Sequence, residues 1–252
     1  LFIADTGNDR VVKLDADGSF VAAFGKSGSG EDELRGPVSV ARAGTTLAVV
    51  ERANHRVHYL SSRRLRHDSI VGSRGIGAPG RFTTPQKVVA HQGALFVLDA
   101  GNRRIQILEP DGSIRDDTVA DPSVKYTPVS FAVLGDEIVM LDAVSGQLHR
   151  FAVSPPYRHE GVSSLPDGLA GASIVDVSAV RAGGTEYLVL VLDAENRLAI
   201  VDAESLDEIT TIGGSGNAAG EFSDPVQVRN VDGVLHVLER GNLRIQVISD
   251  YL

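Results

Sequence analysis

One motif returns six times along this chain, and that repetition constrains the fold more than any other feature of the sequence. An apolar run, an acid, a short turn, an Arg and a second apolar run first occur as LFIADTGNDRVV from Leu1. The pattern returns as LAVVERANHRVHYL from Leu47, LFVLDAGNRRIQIL from Leu95 and IVMLDAVSGQLHRF from Ile138. It returns twice more, as LVLVLDAENRLAIV from Leu188 and LHVLERGNLRIQVI from Leu235. The acids Asp5, Glu51, Asp99, Asp142, Asp193 and Glu239 set the register, at intervals of 43 to 51 residues. Three positions after each acid stand Asn8, Asn54, Asn102, Ser145, Asn196 and Asn242. Five positions after it stand Arg10, Arg56, Arg104, Gln147, Leu198 and Arg244. Such a period marks an architecture in which each repeat is one supersecondary unit that buries its apolar faces against its neighbours.

A second pattern lies between the first. Glycine-rich stretches run through Leu34, Phe82 or Phe222 to Pro37, Pro85 or Pro225, and a short apolar segment follows. Proline is tolerated where a strand opens, because no ladder donor is needed there. One period therefore predicts four short strands joined by turns and a glycine-rich link. No segment sustains the 3.6-residue apolar period of a helix, which argues against a solenoid of strand-plus-helix units. The expected fold is an all-β propeller of six four-stranded blades forming a single domain over residues 1–252. The chain starts at Leu1 and not at Met. A fragment or processed form is the expectation, short of an inner strand before Leu1 and an outer strand after Leu252.

The D-x-G-N-x-R core, the G-x-x-G-x-G-x-x-x-F-x-x-P link and the ~45-residue period resemble NHL repeats across essentially the whole chain. Copies four and five are degraded. The resemblance implies six blades and a platform that binds protein, RNA or small ligands. It also implies an alternative, because the peptidyl-hydroxyglycine amidating lyases share this scaffold. Those enzymes hold a channel zinc with three His from different blades and add a Tyr/Arg pair.

The residues themselves favour binding over catalysis. Residues that recur once per blade serve the scaffold. Asp5, Glu51, Asp99, Asp193 and Glu239 are expected to accept turn N–H bonds. Asn8, Asn54, Asn102, Asn196 and Asn242 suit left-handed turn positions. Arg10, Arg56, Arg104 and Arg244 are expected to pair with the acids. The seven histidines, His55, His58, His67, His91, His149, His159 and His236, show no metal-binding spacing, so no metal or cofactor is expected. Gly25 to Gly30 lacks the G-K-[ST] context of a phosphate loop and is expected to be a link. Arg63, Arg64, Arg66 and His67 form one tight basic cluster, expected to be a solvated turn.

Positions that escape the repeat rule are the candidates for function. Two residues after each strand-opening position stand Ser39, Lys87, Ser130, Asp176 and Gln227, where NHL repeats carry small residues. They are expected to gather at one mouth of a central channel and bind a protein or a small polar ligand. The net charge of −9 argues against a general nucleic-acid binder. No apolar run approaches the ~18 residues of a membrane span, and a monomer is expected. With no cysteine the chain forms no disulfide and offers no thiolate, which suits an extracytoplasmic compartment.

Overall fold

A computed structural model describes residues 1–252, the side chain of Asp117 excepted. By its contacts the chain divides into two compact units, Leu1–Ala120 and Asp121–Leu252. In the first unit, β1 (Phe2–Asp5), β2 (Arg10–Leu14) and β3 (Phe20–Phe24) form a three-stranded sheet. The next sheet is β4 (Pro37–Ala43), β5 (Thr46–Glu51), β6 (Arg56–Ser61) and β7 (His67–Val71). A short parallel pair, β8 (Ser73–Arg74) and β9 (Arg81–Phe82), lies in the link that follows. The third sheet is β10 (Pro85–His91), β11 (Ala94–Asp99), β12 (Arg104–Leu108) and β13 (Ile114–Val119).

The second unit repeats the plan. Its sheets are β14 (Pro128–Leu134), β15 (Glu137–Asp142), β16 (Leu148–Ala152), β17 (His159–Ser163); then β18 (Ile174–Ala182), β19 (Thr185–Leu192), β20 (Arg197–Asp202), β21 (Glu208–Gly213). The last sheet has three strands, β22 (Pro225–Val231), β23 (Val234–Glu239) and β24 (Arg244–Ile248). Apart from the β8–β9 pair, each sheet is an antiparallel meander taken in sequence order.

The burial pattern shows how the sheets stack. The second strand of a full sheet is apolar on both faces, and all six residues of β11 are buried. On β5, Leu47 and Val49 pack with Val11 and Phe24 of the preceding sheet. Ala48 and Val50 pack with Val88, Leu95 and Val97 of the following one. A sheet covered on both faces needs such continuous apolar runs, whereas half-exposed sheets alternate. Outer strands are wetter, as β21 shows. First strands pack on first strands, β4 on β10, β14 on β18 and β18 on β22. Each of these strands carries a β-bulge between its opening residue and the position two further on.

Candidate functional site

The repeated acid, Asn and Arg build a corner in the first, second, third and last of the long sheets. Glu51 accepts from Arg56 Nε at 2.6 Å, Asp99 from Arg104 Nε at 3.1 Å and Glu239 from Arg244 Nε at 2.7 Å. Each acid also accepts an amide of the glycine-rich link, from Arg35, Thr83 or Ser223. The rest of each guanidinium grips link carbonyls. Arg104 donates to Gly77, Ala78 and Arg81, and Arg56 and Arg244 hold three carbonyls each in the same way. Asn54, Asn102 and Asn242 each bridge the acid to a link carbonyl. In the first sheet Asp5 pairs with Arg10 at 2.7 Å and with Asn8, and the Arg10 side chain is 44% exposed. Burial alone would raise the Glu51 carboxyl. Hydrogen bonds from His58, Arg56, the Arg35 amide and Asn54 outweigh it and hold the group below the usual carboxylate range.

The left-handed residue of the corner turn is not the Asn in four copies. It is the next residue, Asp9, His55, Arg103 or Leu243. The side chains of Asp9 and His55 accept the amide just before the next strand-opening Pro, from Gly36 and Thr84. Copy five is offset by one. The strand pairing sets Leu192 opposite Arg197, as it sets Asp99 opposite Arg104, so Asp193 lies one residue past the acid position. Asn196 accordingly takes the left-handed place (φ 53) and accepts from the Asp224 amide. Leu192 is fully buried there, which removes the carboxylate that the alignment had assigned to Asp193.

Seven positions after the acid stands a further recurring side chain that sequence reading missed. Gln106 and Gln246 each donate to the acid and to a link carbonyl and accept a link amide, from Gly80 or Gly220. His58 and His149 take the same place. His58 sits between Glu51 at 3.3 Å and His67 at 2.8 Å. His149 lies 3.4 Å from His159, and its other ring nitrogen is buried with no partner among the described residues. Burial pushes His149 below the ordinary imidazole value, and His159 adds to the effect against the pull of Asp142. With the folded-state value depressed, the unfolded chain takes up a proton first as pH falls below about 6.5. Stability should therefore decline from there down to the folded-state value. Melting curves at pH 7.5 and 5.5 should show a smaller decline for His149→Gln than for the wild type. Equal declines would exclude His149 as the source.

Three of the five irregular positions share a job. After the bulge, the Ser39 hydroxyl accepts the Val88 amide of the next first strand at 3.1 Å. Ser130 accepts the Val177 amide and Asp176 accepts the Val228 amide in the same manner. A first strand has an open edge, and these side chains satisfy its amides. In the second unit the positions also meet one another. Ser130 Oγ donates to Asp176 at 2.5 Å, and Arg229 Nη1 donates to Asp176 at 3.2 Å. Asp176 is 3% exposed, and the Arg229 Nη2 atom is buried without a partner among the described residues. Gln227 is half-buried on β22, and Lys87 is buried on β10, next to the Val88 that Ser39 holds.

No family model matches the sequence, and no curated protein matches it. Solved structures do. Virginiamycin B lyase from Staphylococcus aureus is 13% identical over 100% of this chain and 80% of its own, with a TM-score of 0.63. BamB from Moraxella catarrhalis is 11% identical over 97% of this chain and 65% of its own, at 0.53. BBS1N, in complex with ARL6DN, is 14% identical over 98% and 85%, at 0.55. The chain is a six-bladed β-propeller. At these identities the likeness establishes the fold alone.

In propeller terms, corners and links occupy one end of each blade, and the first-to-second and third-to-fourth strand turns occupy the other. At that other end an open groove of about 920 Å³ lies between the fourth and fifth blades. Asp136, Glu137, Glu186, Asp202 and Glu204 line it with Arg150 and Arg181, and no residue chosen from sequence is among them. Among the described residues no three His, Cys, Asp or Glu are placed to hold a metal. His91 closes β10, a first strand.

Proposed function

We propose that this chain is a non-catalytic binding module, an NHL-type propeller that recognises a protein tip or a small polar ligand at its first strands. In the second unit the recognition groups are Asp176 and Arg229, with Ser130 and Gln227 beside them. Ser39 and Lys87 hold the matching positions of the first unit. The observation that carries this reading is the charge on Asp176. Capping the next strand's amide needs only a hydroxyl, as Ser39 and Ser130 demonstrate. A buried ion pair is weak evidence for stability, since desolvation offsets its attraction. The Arg229 nitrogen without a partner adds a donor at the same place, and buried donors are rarely left unsatisfied. The Asp176–Arg229 pair places both signs of charge at the first strands, where a polar ligand or a partner's tip can use them.

Asp176→Ser tests it, because the substitution keeps an acceptor for the Val228 amide. The variant should still fold, with a melting temperature lowered by the loss of the Arg229 pair, so binding is compared well below it. Thermal-shift screening against sugars, amino acids, dicarboxylates and short peptides should give a wild-type hit that the variant loses by tenfold or more in affinity. A hit bound equally by both proteins would move the site elsewhere. Turnover of quinupristin, with which a catalytically inactive virginiamycin B lyase has been solved, or stoichiometric zinc in the purified protein, would favour a lyase instead.

A further inference from the structure

The turn between β6 and β7 has a structural twin in the fifth blade, and the two carry opposite charge. Ser61 N donates to Arg66 O at 2.9 Å, Leu65 N to Ser61 O at 2.8 Å and Ser62 N to Thr45 O at 2.8 Å. Between β20 and β21, Asp202 N donates to Asp207 O at 2.9 Å, Leu206 N to Asp202 O at 3.0 Å and Ala203 N to Glu186 O at 3.0 Å. Leu65 and Leu206 are both left-handed, with φ 46 and 61, and both are buried. The same backbone therefore presents Arg63, Arg64 and Arg66 in one blade and Glu204, Ser205 and Asp207 in the other. Backbone geometry does not dictate the arginines.

Nothing in the fold uses them either. All three side chains are exposed, and none forms an ion pair or hydrogen bond among the described residues. Three acids of the neighbouring turns, Asp15, Asp111 and Glu109, are occupied at home. Asp15 accepts the amides of Asp17 and Ser19, Asp111 accepts from Ser113, and Glu109 pairs with Arg115. Those turns sit directly alongside, since Lys13 donates to the carbonyls of Ser62 and Arg63 and Tyr59 donates to that of Glu109. Lys13 thereby adds a fourth cation beside the three.

We propose that Arg63, Arg64 and Arg66, flanked by Lys13, dock a short acidic segment of a partner protein. The planar fork of Arg matches a carboxylate in two parallel hydrogen bonds, and the hydrogen-bonded turn fixes the backbone from which the three forks project. The width of the patch sets the partner's class. Asp15, Asp17 and Asp111 bound it, so a long polyanion would meet repulsion beyond one turn, on a protein already at net −9. The Tyr59 ring is fully buried and offers bases no stacking face. This surface lies on turns that the first-strand site does not use, so either can fail without the other.

The test uses a fluorescein-labelled deca-glutamate peptide and fluorescence anisotropy. Wild-type protein should bind it in about 25 mM salt and at least tenfold more weakly in about 300 mM salt, as screening of exposed charges requires. Arg63→Glu/Arg64→Glu/Arg66→Glu should keep the wild-type circular dichroism, given the acidic twin, and bind at least tenfold more weakly. A control with the same change in net charge, Arg52→Glu/Arg74→Glu/Arg158→Glu, should bind within threefold of wild type. Equal losses in both variants would reduce the effect to net charge and overturn the proposal. So would tighter binding of a labelled ten-nucleotide RNA than of the peptide, or no peptide binding at low salt.

Discussion

Arg104→Ala is expected to destabilise the protein by about 3–5 kcal/mol, the range for removing one partner of a buried ion pair. The side chain is 8% exposed and Asp99 not at all, so water does not replace the lost guanidinium. The loss extends beyond the pair, because the carbonyls of Gly77, Ala78 and Arg81 lose their donor together. Simple loss of the acid–Arg hydrogen bond would account for only about 1–3 kcal/mol. Arg197 offers the internal control. It occupies the same strand position in copy five, but it stands opposite Leu192 and pairs with the partly exposed Glu195 at 4.0 Å. Arg197→Ala should change stability by no more than about 1 kcal/mol, as for exposed pairs. Urea denaturation of the two variants measures both, and equal small losses would mean that the corner does not hold the link.

Phe82→Ala is expected to cost about 3–5 kcal/mol, typical of truncating a fully buried aromatic ring. Phe82 is the bolt of a lock whose other half is Gly72. A Cβ on Gly72 would lie 2.5 Å from the ring, and the residue has φ +94, a region that favours glycine. Phe222 closes over Gly213 and Leu34 over Gly25 in the same manner. Gly72→Ala should therefore destabilise as well, by about 2–3 kcal/mol from crowding and backbone strain. The pair is not independent, because removing the ring removes what the new methyl would strike. The double variant should lose at least ~0.5 kcal/mol less than the sum of the singles. Strict additivity in chemical denaturation would show that ring and glycine do not bear on each other.

The repeat made the six sheets legible, because strand turns and glycine-rich links recur in fixed register with the acids. It misled in copy five, where Asp193 mimics the motif one residue late and only strand pairing reveals Leu192 in the acid's place. Gln106 and Gln246 escaped notice because His58 and His149 share their position, and unlike residue types do not register as a repeat. Ser39, Ser130 and Asp176 were singled out for their irregularity, yet all three accept the next strand's amide. A hydroxyl and a carboxylate can do the same work, so variation in type concealed constancy in role. That contrast also isolates Asp176, whose charge the shared role does not require.

The corner gives the repeat a natural point of excision. Asp99, Asn102, Arg104 and Gln106 bind the link that precedes their own sheet, over sequence separations of 16 to 27 residues. Phe82, which lies within that link, closes on Gly72 at the link's own start. The self-contained cassette is therefore not the sheet from Pro85 onward. It begins near Gly72 and carries its fastening with it. A gene segment duplicated or transplanted from there arrives with every partner of the lock, whereas one cut at Pro85 leaves a buried Asp–Arg pair gripping nothing. Circular permutants opened just before a link should fold, and those opened just after it should not, because contacts of short sequence separation would be turned into the longest in the chain.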